Sequence, residues 1–313
     1  MRKFLRVAIL TPDPDGTLGG LRWPPVLARL TAPLAAAGVQ VDSRGWTVAG
    51  DLTGFDLVLP LLAWGYHREG DWPGQVARWR DAGVRLQNPA GVLLWNADKS
   101  YLGRFAEAGA PVVPTLFVER LDEAALEAAA VRFGTDALIA KPRVSASAFQ
   151  TIRWSPGAKL AGGPDRAAIV QPFLPDIEAG GELSLIYLGG AFSHAIRKRP
   201  QPGDFRVQPE FDGIITPHDP LPEEYAAAES ALRAAGEDLL YARVDLVRDL
   251  AGAPVLMEIE LVEPDLYLEY APGSEARFAE AVRRAAAEER PARPISAPSP
   301  SPAGNRHSPL PPP

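Results

Sequence analysis

The sequence contains no cysteine, which excludes disulfide bonds, thiolate catalysis and zinc sites built on cysteine. Its four histidines do not pair at the spacing of metal ligands. The net charge of −7 argues against a general nucleic-acid-binding protein, which usually carries a basic patch. No apolar run is long enough for a membrane span, and the one near the N-terminus is too short for a signal peptide. We therefore expect a cytoplasmic protein with neither nucleic acid nor membrane as a partner.

The sequence does have the apolar content of a globular protein, because 46% of its 313 residues are hydrophobic. Up to residue 95, short apolar runs typical of buried strands alternate with helix patterns that end at glycine. The strand runs lie at 6–11, 55–61 and 84–88, and the helix patterns at 24–38 and 71–83. This alternation favours a parallel α/β sheet in the N-terminal part of the chain.

A second block of elements begins near residue 95 and is followed by two hairpins. Predicted helices cover 95–109, where Asn96 or Asp98 can cap the first turn, and about 122–134. Predicted strands cover 137–141, 151–154 and 167–173. The first hairpin joins LSLIYL (183–188) to AFSHAIRKR (191–199) through two glycines, a strong turn signal. The second hairpin joins YARVDLVR (241–248) to PVLMEIEL (254–261).

Two carboxylates interrupt the apolar run of the last strand. Because successive side chains of a strand point to opposite faces, Glu258 and Glu260 share one face. If the hairpin turns at 250–253, Asp245 lies opposite Glu258 and Arg243 lies opposite Glu260. Hard oxygen ligands at this spacing suit Mg²⁺, and a neighbouring arginine suits a phosphoryl group or an oxyanion. The alternative is a wetted strand face with a surface salt bridge, but three mutually repelling acids against one base favour the metal site.

Several stretches, including this hairpin, carry a family resemblance. They are NADKSYL (96–102), LIAKP (138–142), QPFL (171–174), GGELS (180–184), IRKRPQPGDFRVQ (196–208), ARVDLV (242–247) and MEIE (257–260). In this order they resemble the ATP-grasp superfamily of carboxylate–amine ligases, and its D-cycloserine-forming cyclo-ligases in particular. The resemblance implies an α/β protein with an ATP-grasp fold. A parallel α/β domain (1–95) would precede a central domain (96–176) and a C-terminal domain (177–290), both α+β, which clasp ATP and Mg²⁺.

The proline-rich segment 291–313 falls outside the resemblance. Its proline, serine and alanine residues cannot bury enough apolar surface to order the chain, so we predict a disordered tail.

The resemblance assigns two lysines and a loop to the phosphates of ATP. Lys99 and Lys141 occupy the places of lysines that reach the phosphates in such ligases, although either could instead be a solvated surface lysine. The loop that covers the phosphates is often rich in glycine in this family, because bare amides must approach closely. The candidate here, residues 144–151, has no glycine, so the hydroxyls of Ser145 and Ser147 would contribute.

The stretch QPFL resembles the hinge that holds adenine. The resemblance implies that the carbonyl of Pro172 accepts from the adenine amino group and that the amide of Leu174 donates to the ring. An ordinary strand end is the alternative. The acid on the ribose hydroxyls would be Glu182, with Glu178 as a substitute. The predicted contacts of the nucleoside are therefore Gln171, Pro172, Phe173, Leu174, Glu178 and Glu182.

Basic residues concentrate at the end of the first hairpin. Lys198, Arg197, Arg199 and Arg206 suggest an anion site, by similarity for the triphosphate and the substrate carboxylate; the alternative is a basic loop that balances nearby acids. We predict functional roles for Lys198 and Arg206 and leave Arg197 and Arg199 open. By resemblance, Arg243 would hold an oxyanion. The predicted metal ligands are Asp245, Glu258 and Glu260, the last of which is asparagine in many relatives.

The expected activity is ATP-dependent ligation of a small amino-acid-like carboxylate. By resemblance, an acyl phosphate would form with release of ADP, and a nitrogen nucleophile would displace phosphate, within one molecule or between two. A rival from another class is a nucleotide-binding protein without catalysis. In the N-terminal part, Trp64, Tyr66, His67 and Arg68 follow a strand end and could contact substrate or form an aromatic packing cluster. The sequence is compatible with a homo-oligomer.

Overall fold

The structure, a computed structural model, describes residues 4–13, 23–68, 70–201, 206–207 and 213–288. The segment 291–313, predicted as a disordered tail, lies outside the described residues. Within those described ranges, no helix is long and apolar enough to cross a membrane.

The N-terminal sheet has three parallel strands in the order β2–β1–β3. The strands are β1 (Leu5–Thr11), β2 (Val39–Gly45) and β3 (Leu57–Leu59), and the helices are α1 (Trp23–Ala36) and α2 (Trp72–Asp81). The predicted parallel α/β sheet is confirmed. Strand β2 was missed because exposed polar residues interrupt its apolar pattern. The predicted strand 84–88 is wrong, since only one bridge, between Val58 and Leu86, joins it to β3.

Strand β1 is buried on both faces, as expected for the centre of a parallel sheet. Val7 and Ile9 pack in one hydrophobic cluster with α1, and Ala8 and Leu10 pack in another around Trp46. Strand β1 therefore contributes to a hydrophobic cluster on each face of this sheet.

The predicted helix 95–109 is in fact two helices, α3 (Ala90–Asn96) and α4 (Tyr101–Glu107). Asn96 caps neither, because its buried amide bonds to the backbone of Ile259 and Leu261 and so holds the last strand of the molecule. Asp98 accepts from the amide of Ser100, which directly precedes α4. The break between the helices places Lys99 at the interior.

The central sheet has four antiparallel strands in the order β4–β7–β5–β6. They are β4 (Leu116–Val118), β5 (Leu138–Pro142), β6 (Ile152–Trp154) and β7 (Ala168–Pro172). Helix α5 (Glu123–Phe133) covers one face. It begins after Asp122, whose carboxylate accepts from the amide of Ala125, and ends at Gly134 in the left-handed conformation.

The C-terminal sheet has five antiparallel strands in the order β10–β9–β8–β11–β12. The strands are β8 (Glu182–Leu188), β9 (Ala191–Arg199), β10 (Ile214–His218), β11 (Tyr241–Arg248) and β12 (Pro254–Glu260). The helices are α6 (Asp176–Ala179), α7 (Pro222–Ala235) and α8 (Ser274–Ala287), and α8 packs against α1 of the N-terminal part. Both predicted hairpins are confirmed.

Candidate functional site

A deep cleft of about 1270 Å³ is lined by the central sheet, the C-terminal sheet and the N-terminal part of the chain. Every residue that the sequence predicted for the site lines this cleft, except Glu178. Glu178 is exposed and pairs with Arg153, whose Nη1 lies 2.9 Å from its Oε1. Of the two ribose candidates, the structure therefore brings only Glu182 to the site.

The stretch QPFL forms one wall of the cleft and is buried throughout. Strand β7 ends at Pro172, and the amide of Phe173 donates to the carbonyl of Ala137 at 2.9 Å, which anchors the segment to β5. Within the described part of the chain, nothing accepts a hydrogen bond from the amide of Leu174. A flat base that presents an acceptor there would satisfy this donor.

Neither predicted phosphate lysine is a solvated surface residue. Lys99 is only 4% exposed, and its Nζ donates to the carbonyl of Ser145 at 2.7 Å. Lys141 lies on β5 inside the cleft, and burial lowers its pKa. Burial of a lysine is costly unless an anion compensates it, so both positions suit a bound phosphate.

The glycine-free loop 144–151 adopts backbone conformations that usually require glycine. Ser147, Ala148 and Gln150 have positive φ angles of 47°, 53° and 52°. Such angles are uncommon for residues with a side chain and are concentrated at functional sites. Ser145 is buried and its hydroxyl donates to the carbonyl of Pro142 at 3.0 Å, so its oxygen remains able to accept.

Glu182 and Lys198 face each other across β8 and β9 and form a buried ion pair. The Nζ of Lys198 also lies 3.6 Å from Oδ1 of Asp245. Burial opposes the charge of Lys198, but Asp245 and Glu182 outweigh it and raise its pKa, so the ammonium stays charged. Lys198 therefore lines the cleft as a charged ammonium that two carboxylates hold in place.

The register of the second hairpin is the predicted one, with Asp245 opposite Glu258 and Arg243 opposite Glu260. All of these side chains line the cleft. Arg243 bonds Asp245 through Nε and Nη2 at 3.0–3.1 Å and also pairs with Glu260. Nζ of Lys99 pairs with Glu258 at 2.9 Å. Each acid is thus held by a cation rather than left to repel the others.

These ion pairs affect the predicted metal site. Among the described residues, no three histidine, aspartate or glutamate side chains stand together as a ready-made metal site. Mg²⁺, however, usually takes only one or two carboxylates and completes its shell with phosphate oxygens and water. Glu258 and Glu260 on one face of β12 satisfy that smaller requirement, so the donor set fits the ion.

The cluster of four cations predicted after the first hairpin is divided by strand alternation. Lys198 points into the cleft, whereas Arg197 points to the other face of β9, where it donates to the carbonyl of Gly180. Arg206 lines the cleft, and Arg199 is exposed. Because successive side chains of a strand point to opposite faces, Lys198 lies on a different face from both of its arginine neighbours.

The loop after β3 divides in a similar way. Trp64, His67 and Arg68 line the cleft, whereas Tyr66 packs against Trp72 with ring centroids 5.4 Å apart. The two readings of this segment, ligand contact and aromatic packing, therefore apply to different residues. Burial, with help from Arg68, lowers the pKa of His67 to about 4, so the ring is neutral near pH 7.

Sequence reasoning missed the wall formed by the segment that follows β12. Glu263, Asp265 and Tyr267 line the cleft there, and Arg29 of α1 lines it from the N-terminal side. One signal was available, since two further acids, Glu263 and Asp265, lie within five residues after the strand end at Glu260. No pattern in the sequence pointed to Arg29 of α1, because its place in the cleft depends on how α1 packs against α8.

Comparison with known proteins agrees with this geometry. The chain is 32% identical over 226 residues to the cycloserine biosynthesis protein DcsG of Streptomyces lavendulae, with 64% of this chain and 73% of that protein covered. Its fold is similar to the crystal structure of D-cycloserine synthetase DcsG, with a TM-score of 0.76 at 24% identity, over 90% of this chain and 99% of that one. No protein-family model matches the chain.

A further solved structure shares the fold. The ATP-grasp ligase PsnB, complexed with a precursor variant, Mg and ADP, gives a TM-score of 0.62 at 15% identity, over 90% of this chain and 98% of that one. The chain therefore belongs to the ATP-grasp superfamily of ligases. It is an enzyme that performs ATP-dependent ligation, and the predicted fold class is confirmed.

Proposed function

We propose that the protein activates a small amino-acid-like carboxylate as an acyl phosphate, releases ADP, and joins the acyl group to a nitrogen nucleophile. The observation that carries this proposal is a set of cations that converge on one cleft, between the QPFL wall and the carboxylates of the second hairpin. They are Lys99, Lys141, Lys198, Arg206 and Arg243. A triphosphate and a carboxylate together supply the negative charge that such a set requires.

ATP is proposed to bind with adenine at QPFL and its phosphates toward Lys99 and Lys141. The amide of Leu174, which has no acceptor among the described residues, supports the adenine position. Lys99, which is buried, and Lys141, which is half-buried in the cleft, support the phosphate position. Glu182 at the start of β8 would reach the ribose hydroxyls. We also propose that the chain divides into domains after residues 95 and 176, so that the nucleotide lies between the central and C-terminal domains.

Mg²⁺ is proposed to bind at Glu258 and Glu260, with Asp245 beside them. Asp245 is buried against Arg243 and Lys198, which suits it to orient those cations rather than to be the principal ligand. When bound, the ion would supply charge neutralisation at the transferring phosphoryl group. ATP phosphates would replace Glu258 as the partner of Lys99, which frees that carboxylate for the metal.

In the proposed reaction, an oxygen of the substrate carboxylate attacks the γ-phosphorus of ATP, and the bond to ADP breaks. The nitrogen nucleophile then attacks the acyl carbon, loses a proton, and displaces phosphate. Arg243 is oriented by Asp245 and Glu260 so that its remaining donor positions can stabilise the oxyanion of this second step. Lys198 and Arg206 would hold the carboxylate for the first step. No side-chain nucleophile is required.

The nitrogen is proposed to belong to the same molecule as the carboxylate, so that the product is a ring. The similarity to DcsG, in sequence and in fold, supports this choice over ligation of two molecules. The absence of cysteine and the use of ATP support a cytoplasmic location.

A hydroxamate screen tests the proposal. Amino acids of both hands are incubated with the enzyme, ATP, Mg²⁺ and hydroxylamine, which captures an acyl phosphate as a hydroxamate. We expect one class of amino acid to give hydroxamate and ADP in equal amounts. Absence of both products across the panel would contradict acyl activation of this substrate class.

A further inference from the structure

One acid of the cleft has no partner in the described part of the chain. Among the described residues, the other acids that line the cleft each have a cation or a backbone amide as partner: Glu182, Asp245, Glu258, Glu260, Asp265 and Glu269. Glu263 is the exception, since its half-buried side chain makes no hydrogen bond or ion pair to any residue that the structure describes. An uncompensated carboxylate in a cleft is costly unless a ligand compensates it.

The groups around Glu263 indicate which charge on a bound ligand would stabilise its carboxylate. Burial raises the pKa of the Glu263 carboxyl, and the neighbouring Glu260 raises it further. Arg243 and Lys99 act in the opposite direction, but Arg243 is bonded to Asp245 and Glu260, and Lys99 to Glu258. A cation on a bound ligand would offset both the burial of Glu263 and the charge of Glu260.

Another polar group that lines the cleft also lacks a partner among the residues that the structure describes. The side chain of His67 is only 9% exposed, and it lines the cleft. Its Nε2 accepts from Nε of Arg68 at 3.1 Å, which leaves the hydrogen of the neutral ring on Nδ1. Within the described residues, that buried Nδ1 has no acceptor. The ring thus presents an unused donor.

Tyr66 lies beside His67, and their ring centroids are 5.8 Å apart. Burial raises the pKa of Tyr66, and the charges of Glu263, Glu258 and Glu260 add to the rise. Glu263 and His67 both line the cleft.

We propose that Glu263 binds a primary ammonium group of the small-molecule substrates. This inference rests on the proposed ligase function. It adds that the substrates carry a positively charged group and names the residue that binds it. In the ring-forming reaction proposed above, the ammonium belongs to the molecule that carries the activated carboxylate. In the alternative, a ligation of two molecules, it belongs to one of the two, and the experiment below distinguishes them. In both cases an ion pair with the ligand stabilises the Glu263 carboxylate.

Calorimetric binding in the presence of ADP and Mg²⁺ tests the site without requiring turnover. The probes are alanine of each hand, propionate, which is alanine without its ammonium group, and ethylamine added together with propionate. We expect wild-type protein to bind alanine, or ethylamine beside propionate, at least about tenfold more tightly than Glu263→Gln does, the effect of losing one charged hydrogen bond. Affinities for propionate and ADP should change less than about twofold.

Two further variants make the comparison specific. Glu263→Asp retains the charge and should keep a preference for alanine over propionate. Glu269→Gln removes an acid of the same cleft that is already paired with Arg29, and it should bind every probe as wild type does. Dependence of alanine binding on Glu263 assigns the ammonium to the carboxylate substrate, and dependence of ethylamine binding assigns it to the nucleophile.

Equal affinity of wild type and Glu263→Gln for both amines, or no amine binding by wild type, overturns the proposal. Failure of the ligase function would instead show as a lack of hydroxamate and ADP, and the binding comparison would still be readable.

Discussion

The two ends of the cleft are built from different kinds of structure. At the nucleotide end the functional side chains lie on strands, such as Lys141 on β5 and Lys198 on β9. At the N-terminal end they lie on connecting segments, such as Arg68 after β3 and Glu263 after β12. The charges also differ. Acids and bases neutralise one another at the first end, whereas at the second end Glu263 pairs with no residue that the structure describes. A strand-built end is preorganised for a common cosubstrate, whereas a loop-built end can vary with the substrate.

The largest effect that this comparison predicts is at Glu258, on the nucleotide side. Glu258→Gln removes a proposed anionic ligand of Mg²⁺, and we expect ATP turnover to fall about a hundredfold or more. The variant also leaves Lys99 buried without its partner, so we expect a lower melting temperature that ATP largely restores. Turnover assays and melting curves with and without ATP measure both effects.

The matched control is Glu107→Gln, at an exposed acid of α4. We expect its turnover and melting temperature to equal those of wild type. Near-normal turnover of Glu258→Gln at saturating Mg²⁺ would show that the carboxylates are only a polar strand face.

The next effect is on ATP affinity. Lys141→Ala removes a half-buried cation of the cleft whose charge has no carboxylate bonded to it among the described residues, and we expect ATP to bind about tenfold or more weakly while the fold is retained. Calorimetric titration with a non-hydrolysable ATP analogue measures this. Lys159→Ala, at an exposed lysine outside the cleft, provides the control and should bind the analogue normally. Equal affinities of the two variants would remove Lys141 from the phosphate site.

A smaller and more selective effect separates the two ribose candidates. Glu182→Gln should weaken binding of ATP several-fold, because Glu182 is buried at the cleft and paired with Lys198. Glu178→Gln should leave it unchanged and shift stability by less than about 1 kcal/mol, as is usual for an exposed ion pair. Comparison of ATP with ATP lacking its ribose hydroxyls measures the contact. A loss of discrimination in Glu178→Gln alone would reverse the assignment.

The smallest effect is a slope in the pH dependence of stability. Burial raises the pKa of Glu260 to about 7, and Glu258 and Asp245 add to the rise against the attraction of Arg243. The folded protein then binds more protons than the unfolded chain between pH 4.5 and about 7, so this group lowers stability as pH rises through that window. Glu260→Gln should remove this part of the slope in melting curves recorded across the window. An identical slope in both proteins would contradict the raised pKa.

The sequence predicted the strand-built end well, because alternation along a strand fixes which side chains share a face. The register of Asp245 and Glu258, and of Arg243 and Glu260, follows from hairpin geometry alone and is confirmed. The same rule, applied to β9, would have separated Lys198 from Arg197. Local sequence therefore determines geometry wherever the pairing partner is next along the chain.

The ion pairs could not be predicted in this way. From sequence, Glu258 and its neighbours were expected to repel one another, but Lys99 reaches Glu258 from a break between two helices far away in the chain. The partnership depends on tertiary packing, including the bonds of Asn96 to β12. Glu263 was missed for a related reason, since no periodic pattern describes the segment after the strand.

The most direct test of the central claim, acyl activation by ATP, follows the oxygen of the carboxylate. The amino acid identified by hydroxamate formation is labelled with oxygen-18 in its carboxylate and turned over with ATP, and the products are examined by phosphorus NMR. Because a carboxylate oxygen attacks the γ-phosphorus and leaves with phosphate, we expect ADP together with phosphate that carries one labelled oxygen. Pyrophosphate and AMP, or phosphate without label, would contradict the proposed reaction.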